Sequence, residues 1–127
     1  MRFSCLATLV ALLALHAAAS AQGPWKVPKE ELGGAIPLNV NRWYNFTDYP
    51  DDAVRADQQG YVTVSFTIGV DGRMTNCKVI RSSGYPILDA VPCKVLPKRA
   101  RFTPAKDANG APVATQGSAS MSFWTVP

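Results

Sequence analysis

The clearest pattern in the chain is a strict alternation of apolar and polar residues that begins after Gly60. Apolar side chains take every second position, and Tyr, Thr or Ser side chains take the positions between them. The apolar positions are Val62, Val64, Phe66, Ile68 and Val70. A period of two residues over this length predicts a β-strand with one face in a core and the other in solvent.

A second strand follows and is expected to pair with the first as a hairpin. Asp71-Gly72 can supply the two positive φ angles of a tight two-residue turn, and Arg73 to Ser82 then returns alongside. Counting back across that turn places Cys77 opposite Phe66, so Cys77 is expected to face the core. This hairpin is the predicted scaffold of the domain.

The C-terminal tail alternates in the same way and predicts a third strand. From Gly117 onwards, Ala119, Met121 and Phe123 share one face, and serines fill much of the other. A strand that follows a helical crossover tends to return parallel to its predecessor, which places this strand beside the first one. The expected sheet order is second, first, third, and it leaves the outer backbone groups of the tail strand unpaired.

Two helices complete the predicted fold. A short helix is expected to begin at Pro50, and a second should run from about Tyr85 to about Ala100. Pro92 and Pro97 predict that the second helix is broken or shortened, because proline has no backbone N–H to donate. The predicted fold class is α+β, with a small three-stranded antiparallel sheet of order 2-1-3 and two helices on one face.

The N-terminal residues have the features of an export signal. Arg2 precedes an apolar run that ends in Ala19-Ser20-Ala21, a small-residue cleavage site. We therefore expect residues 1–21 to be a cleavable signal peptide, residues 22–47 an irregular extension and residues 48–127 the folded domain. The alternative is an uncleaved membrane anchor, because Phe3 to Ala21 is just long enough to span a bilayer.

The extension, residues 22–47, is rich in Pro, Gly and Asn and has no sustained period, which predicts an extended or loosely packed chain. Its aromatic side chains are expected to lie over the domain as a strap rather than to form an exposed binding patch. These residues are Trp25, Trp43, Tyr44 and Phe46. The same extension could cover the edge of the tail strand, and the domain would then be purely structural.

Cysteine content and charge limit the chemistry of the exported chain. Removal of the leader leaves Cys77 and Cys93, and it removes the single His, His16. Two cysteines in an exported protein predict a disulfide, and without a His they make a poor zinc site, so no metal or cofactor is expected. The net charge falls from +4 to +3 with the loss of Arg2, an excess too small to indicate a nucleic-acid partner.

An enzyme is the weaker interpretation of the same residues. Ser82 and Ser83 lie on a predicted turn, but no His of the mature chain could activate either hydroxyl as a nucleophile. The Ser-Ser-Gly sequence is typical of a turn. The sequence therefore predicts a protein without catalytic residues.

Several ordered motifs resemble the TonB C-terminal domain family. They extend over roughly residues 48–126, and each lies on the element that it requires. The matching residues are Tyr49-Pro50, Gly60, Asp71-Gly72, Ser82-Ser83-Gly84, Leu88-Asp89, Arg101 to Ala105, Gly110 to Val113 and Met121 to Phe123.

This resemblance implies a module that binds an extended segment of an outer-membrane receptor by β-augmentation on its last strand, in TonB-dependent transport. The implied contacts are Ser118, Ser120, Met121, Ser122, Phe123, Trp124 and Thr125, with Tyr49 and Pro50 as neighbours. With the leader cleaved, the location is periplasmic. A retained N-terminal helix would instead give an anchored energy transducer that also contacts an inner-membrane complex, and an open sheet edge allows a strand-exchanged homodimer.

Overall fold

A computed structural model of the chain describes residues 25–124. The predicted leader, residues 1–21, and the predicted site residue Thr125 lie outside the described residues. The strands are β1 (Trp25–Lys26), β2 (Ile36–Leu38), β3 (Gly60–Ile68), β4 (Met74–Arg81), β5 (Arg101–Thr103), β6 (Ala105–Lys106), β7 (Pro112–Val113) and β8 (Thr115–Phe123). The α-helices are α1 (Asp51–Arg55) and α2 (Pro86–Arg99), and 3₁₀ turns lie at Lys29–Glu31, Val40–Arg42 and Phe46–Asp48.

The main sheet has four antiparallel strands in the order β1-β8-β3-β4. Within it, β4, β3 and β8 have the order and directions predicted for the second, first and third strands, so the α+β class is confirmed. The prediction of three strands is wrong, because β1 adds a fourth beside β8. Two short sheets pair β2 with β5 and β6 with β7, and an isolated antiparallel bridge joins Arg73 to Arg101.

The hairpin between β3 and β4 closes through three residues instead of two. The Gly69 N–H donates to the Arg73 carbonyl at 2.9 Å, which leaves Val70, Asp71 and Gly72 in the loop. Only Gly72 has a positive φ, 76°. The two-residue turn with two positive φ angles was therefore a wrong prediction, and Val70 lies in the loop, 57% exposed, rather than in the apolar row.

The register of the β3–β4 pair also differs from the predicted one beside Phe66. Ser65 pairs with Lys78 and Thr67 pairs with Thr75, so Asn76 and Cys77 together face Phe66. Two residues against one are a β-bulge, and Asn76 has the φ of 53° that such an irregularity uses. The bulge turns β4 more strongly than a regular strand would turn.

Helix α2 covers one face of the sheet and continues through both of its prolines. A break was expected at Pro97, but Pro97 lies in the last turn, where the helix ends two residues later. The helix is held by tertiary contacts, since Leu88, Val91, Pro92, Val95 and Leu96 are all buried. The predicted disulfide between Cys77 and Cys93 is confirmed, and it joins α2 to β4 with a Cα–Cα distance of 5.4 Å.

The hydrophobic core lies between the sheet, α2 and the segment before α1. The prediction that aromatic residues of the extension pack over the domain is confirmed for Trp25 and Trp43, which are 2% and 0% exposed. Leu32 is also buried in this core. Phe46 differs from the prediction because it is 90% exposed, in a 3₁₀ turn where its ring lies edge-on to the Tyr44 ring.

The helices of residues 25–124 are all too short or too polar to cross a lipid bilayer. α1 has five residues, and Arg55 in its last turn forms an exposed ion pair with Asp52 at 3.2 Å. α2 has fourteen residues, including both prolines.

Candidate partner-binding edge

Strand β8 is the element on which most of the predicted contacts lie. All nine of its residues pair with β3, from Thr115 opposite Ile68 to Phe123 opposite Gly60. The alternation in its sequence buries Gly117, Ala119, Met121 and Phe123 on the core face and leaves the serines half-buried on the other. β8 carries no charged residue, so backbone groups and small hydroxyls define its surface.

The side chains of Met121 and Phe123 point into the core, at 0% and 1% exposure. A partner along this strand could therefore meet these residues only through their backbone. Ser118, Ser120 and Ser122 lie on the outer sheet face, where Ser120 and Thr63 hydroxyls form a hydrogen bond of 2.8 Å. Trp124 follows the strand and is 62% exposed.

Tyr49 is buried and packs against the core face of β8. Its ring packs edge-on against Phe123 with centroids 5.3 Å apart, and its hydroxyl donates to the Gln58 carbonyl at 2.5 Å. Burial raises the pKa of the Tyr49 hydroxyl, and the charge of Asp57 raises it further. Pro50 caps the start of α1, where it lines a groove of about 330 Å³ with Val91 and Val95 of α2.

The outer edge of β8 is partly occupied by the chain itself. Trp25 lies opposite Met121 and Lys26 lies opposite Ser120, in antiparallel register. The prediction of an unpaired tail-strand edge is therefore wrong at Ser120 and Met121. Within residues 25–124, these two are the β8 positions with a strand partner on the outer side.

The contact with β8 continues beyond β1. The Ser118 hydroxyl donates to the Glu31 carboxylate, and the Thr115 hydroxyl donates to the Leu32 carbonyl at 3.1 Å. Gly33, with a φ of 60°, lies so close that a Cβ there would stand 2.8 Å from the Thr115 Cβ. We call residues Trp25–Gly33 the N-terminal strap, since they follow β8 from Met121 to Thr115.

The opposite edge of the sheet, the outer side of β4, is closed by other means. A bulge at Asn76 and Cys77 distorts the strand, and the disulfide ties Cys77 to α2. Lys78 and Arg81 are exposed along this strand, and the Arg81 guanidinium lies 5.0 Å from the centre of the Tyr61 ring. Bulges and cations are the features by which natural edge strands avoid pairing with other chains.

The Ser82-Ser83-Gly84 corner is held by hydrogen bonds to Asp89 in the first turn of α2. Both serine hydroxyls donate to the Asp89 carboxylate, and the Ser83 N–H donates to it at 2.8 Å. Burial raises the pKa of Asp89, but these hydrogen bonds outweigh burial and hold the pKa below its usual range. Asp89 therefore fixes the link between β4 and α2.

The basic end of α2 is engaged within the fold. Arg99 makes two hydrogen bonds with the Asp48 carboxylate, at 2.5 and 3.0 Å, and these raise the pKa of Arg99. The Asp48 side chain is only 7% exposed, so the pair joins the last 3₁₀ turn to α2 in a partly buried setting. Within the described residues, no group of His, Cys, Asp and Glu side chains is suited to hold a metal ion.

Sequence reasoning did not identify Glu31, Leu32 and Gly33 as neighbours of β8. The strap has no period that would indicate a strand, and its partners lie more than 80 residues away along the chain. The sequence left open that residues 22–47 cover the tail strand, and it predicted burial of Trp25, but neither indicated which residues lie beside β8.

Comparison with known proteins identifies a family and a solved structure of similar fold. The sequence model of the family described as "Gram-negative bacterial TonB protein C-terminal" matches residues 45–124. Among solved structures, the chain is similar to the solution NMR structure of the Pseudomonas aeruginosa TonB CTD, with 28% sequence identity and a TM-score of 0.57. That match covers 74% of this chain and 89% of the other. No curated protein matched the chain.

Proposed function

The chain belongs to the family of Gram-negative bacterial TonB C-terminal domains, and from this premise we propose that it is a periplasmic, non-enzymatic module that binds an extended segment of an outer-membrane receptor. Family membership supports a TonB-type role in transport. The proposed binding mode is β-augmentation, in which the guest segment becomes a new neighbour of β8.

The observation that carries this proposal is the unequal pairing of the two sides of β8. On one side the strand pairs with β3 over all nine residues in continuous register. On the other side, within residues 25–124, strand pairing is limited to Ser120 and Met121. A guest strand of six or more residues would offer β8 more backbone partners than β1 does.

The surroundings of β8 suit a guest that binds mainly through its backbone. The outer-face side chains of Ser118, Ser120 and Ser122 are small, so they do not obstruct a neighbouring strand. The exposed Trp124 ring stands at the end of the strand, where it can cover the apolar part of a guest. Tyr49 contributes indirectly, because its ring holds Phe123 in place.

The proposal is tested by titrating the full exported chain with synthetic peptides from the N-terminal segments of outer-membrane receptors of the same cell. We expect at least one peptide to bind and to shift the amide resonances of residues 118–124 in NMR spectra. Trp124→Ala should weaken binding about tenfold, since exposed aromatic anchors dominate such interfaces. Phe46→Ala is the matched control, because Phe46 is also a largely exposed aromatic residue and lies outside the edge.

Two results would contradict this function. One is the absence of binding by every receptor peptide. The other is binding whose resonance shifts map to β4 or α2 and leave residues 118–124 unchanged. Hydrolase assays provide a separate check, since loss of a measured activity on Ser82→Ala would argue for an enzyme.

The proposed periplasmic location depends on cleavage of the leader. The N-terminus of the exported protein, read by mass spectrometry, should begin at Gln22. An intact Met1 in the membrane fraction would instead support the anchored energy transducer, with an inner-membrane complex as an additional partner.

A further inference from the structure

The N-terminal strap lies where the proposed guest would lie, and we propose that it is a built-in competitor for the edge of β8. A partner must displace the strap, so the partners that bind are extended segments with a large apolar residue at the position opposite Met121. This inference rests on the proposed function, because it names the chemistry of the partner that β8 binds.

Trp25 is the residue that anchors the strap. Its side chain is 2% exposed and meets Trp43 edge-on, with ring centroids 6.2 Å apart. Its position opposite Met121 directs the indole to the core face of the sheet. Lys26, one residue further, lies opposite Ser120 and is exposed, so the adjacent position in the edge tolerates a polar side chain.

The Trp25 indole does not satisfy or fill its site completely. Within residues 25–124 the Trp25 Nε1–H is buried without a hydrogen-bond partner. A cavity of about 100 Å³ lies beside the indole and is lined by Val27, Lys29, Pro37 and Val40 as well. An unpaired buried donor and unfilled space both weaken the hold of the strap on the edge.

Beyond Trp25, the strap has one further buried side chain, Leu32, and polar contacts with β8 that are easily exchanged. The Glu31 contact with Ser118 is exposed to solvent, and the Thr115 contact with the Leu32 carbonyl is a single hydrogen bond. A phenylalanine or leucine in place of the Trp25 indole would bring no unpaired N–H into the core. A guest with such a residue opposite Met121, and with backbone partners for the remainder of β8, would therefore displace the strap.

The test uses the strap itself as the probe. A synthetic peptide with the sequence of Trp25–Ala35, blocked at both ends, is titrated into the full exported chain by calorimetry. The Trp25→Ala chain should bind this peptide at least about tenfold more tightly than the wild-type chain, because an occupied edge lowers the apparent affinity. Phe46→Ala should behave like the wild type, since that exposed ring does not touch β8.

A second variant leaves the core intact, in case Trp25→Ala perturbs folding. Glu31→Gln changes only an exposed contact, and it should raise both the amide exchange rate of residues 120–123 and the peptide affinity by about threefold. In the peptide, replacement of the tryptophan by alanine should abolish binding to the Trp25→Ala chain. Replacement by phenylalanine should retain it.

The outcomes separate this inference from the proposed function. Equal affinity of wild-type and Trp25→Ala chains for the strap peptide, or equal binding of the alanine-substituted peptide, would overturn the competitor role. Receptor peptides that bind wild type and Trp25→Ala alike would also overturn it, while the proposed function would stand. If the strap peptide binds the Trp25→Ala chain but no receptor peptide does, the strap still competes for the edge of β8, but the proposed function fails and the named class of partner fails with it.

Discussion

The sheet protects its two sides in different ways, at the outer edge of β4 and at the outer edge of β8. The β4 edge is closed by covalent and backbone features, namely the disulfide to α2 and the bulge at Asn76. The β8 edge is covered by two residues of β1 and by a few hydrogen bonds from the strap. The difference is that the β4 edge is protected by a covalent bond and a bulge, and the β8 edge only by non-covalent contacts.

The same contrast appears in how each edge is held to the rest of the fold. The hairpin loop that leads into β4 lies against β5, because the Phe102 N–H donates to the Gly72 carbonyl at 2.9 Å. There is also no room for a side chain at Gly72, where a Cβ would stand 2.1 Å from the Phe102 oxygen. The strap, by comparison, packs beside β8 through two buried side chains, Trp25 and Leu32, and has no covalent link to the strand.

The largest expected effect on stability comes from removing the disulfide that protects the β4 edge. Substitution of Cys77 and Cys93 together by Ser should lower the free energy of unfolding by about 3 kcal/mol, the value expected for a disulfide that closes a loop of this size. Urea unfolding followed by circular dichroism measures it.

The matched comparison is the wild-type chain under reducing conditions, which should lose a similar amount of stability. Amide exchange in β4 should rise in the variant far more than exchange in β8. Equal increases in both strands would mean that the disulfide does not act on the β4 edge in particular.

A smaller effect is expected from crowding the packing of β8 against the strap. In Gly117→Ala the new Cβ would lie 2.7 Å from the Phe66 ring and 3.1 Å from a Leu32 methyl group. We expect a loss of about 2 kcal/mol, typical of overpacking in a core. Thermal and urea unfolding measure it.

The double variant Gly117→Ala with Phe66→Leu sharpens this test. Its loss should be smaller than the sum of the two single losses, since the smaller side chain relieves the contact. Strict additivity would show that the contact between these positions is not the cause.

Asp89 gives a pH-dependent contribution at the corner between β4 and α2. Its folded-state pKa is lowered below the usual 3.8, so its stabilising effect is present above that pH and is lost as the pH falls through the folded-state pKa. Asp89→Asn should cost about 1 kcal/mol at neutral pH, through weaker hydrogen bonds from Ser82 and Ser83. The difference between wild type and variant should shrink below about pH 4, measured by urea unfolding across pH.

An unchanged difference from pH 7 to pH 3 would contradict the role of the Asp89 charge. Asp71→Asn is a suitable control for general effects of charge removal. Asp71 is exposed and its side chain accepts a local hydrogen bond from the Arg73 N–H.

The smallest effect on folding is expected where the β4 edge loses its cations. Substitution of Lys78 and Arg81 by Val should change the free energy of unfolding by less than about 0.5 kcal/mol, because both positions are exposed. The variant should nevertheless associate at high concentration, since an apolar edge invites strand pairing. Sedimentation velocity would detect the association, and a strictly monomeric variant would show that the bulge alone protects the edge.

The long strands and the disulfide could be predicted because their signals are local. Nine alternating residues specify β3, and the same period specifies β8 and its buried face. Cys77 and Cys93 are the only cysteines in the sequence outside the predicted leader. Each of these inferences needed only a short window of sequence or a count of one residue type.

The features that escaped prediction depend on contacts between distant residues. β1 has two residues, too few to show a period, and it is recognisable only once β8 is in place beside it. The buried state of Tyr49 likewise depends on Phe123, which lies 74 residues later. The three-residue loop at Val70 was missed because Asp71-Gly72 is compatible with more than one turn type.

The three indoles of the chain stand in three distinct settings, and this gives the molecule its own optical reporters. Trp43 is enclosed and donates its N–H to the Leu38 carbonyl at 3.1 Å, Trp25 is enclosed at the border of the sheet, and Trp124 is largely in solvent. A red shift in emission without loss of cooperative melting would therefore report release of Trp25. Quenching by iodide would follow Trp124, and neither signal requires a dye.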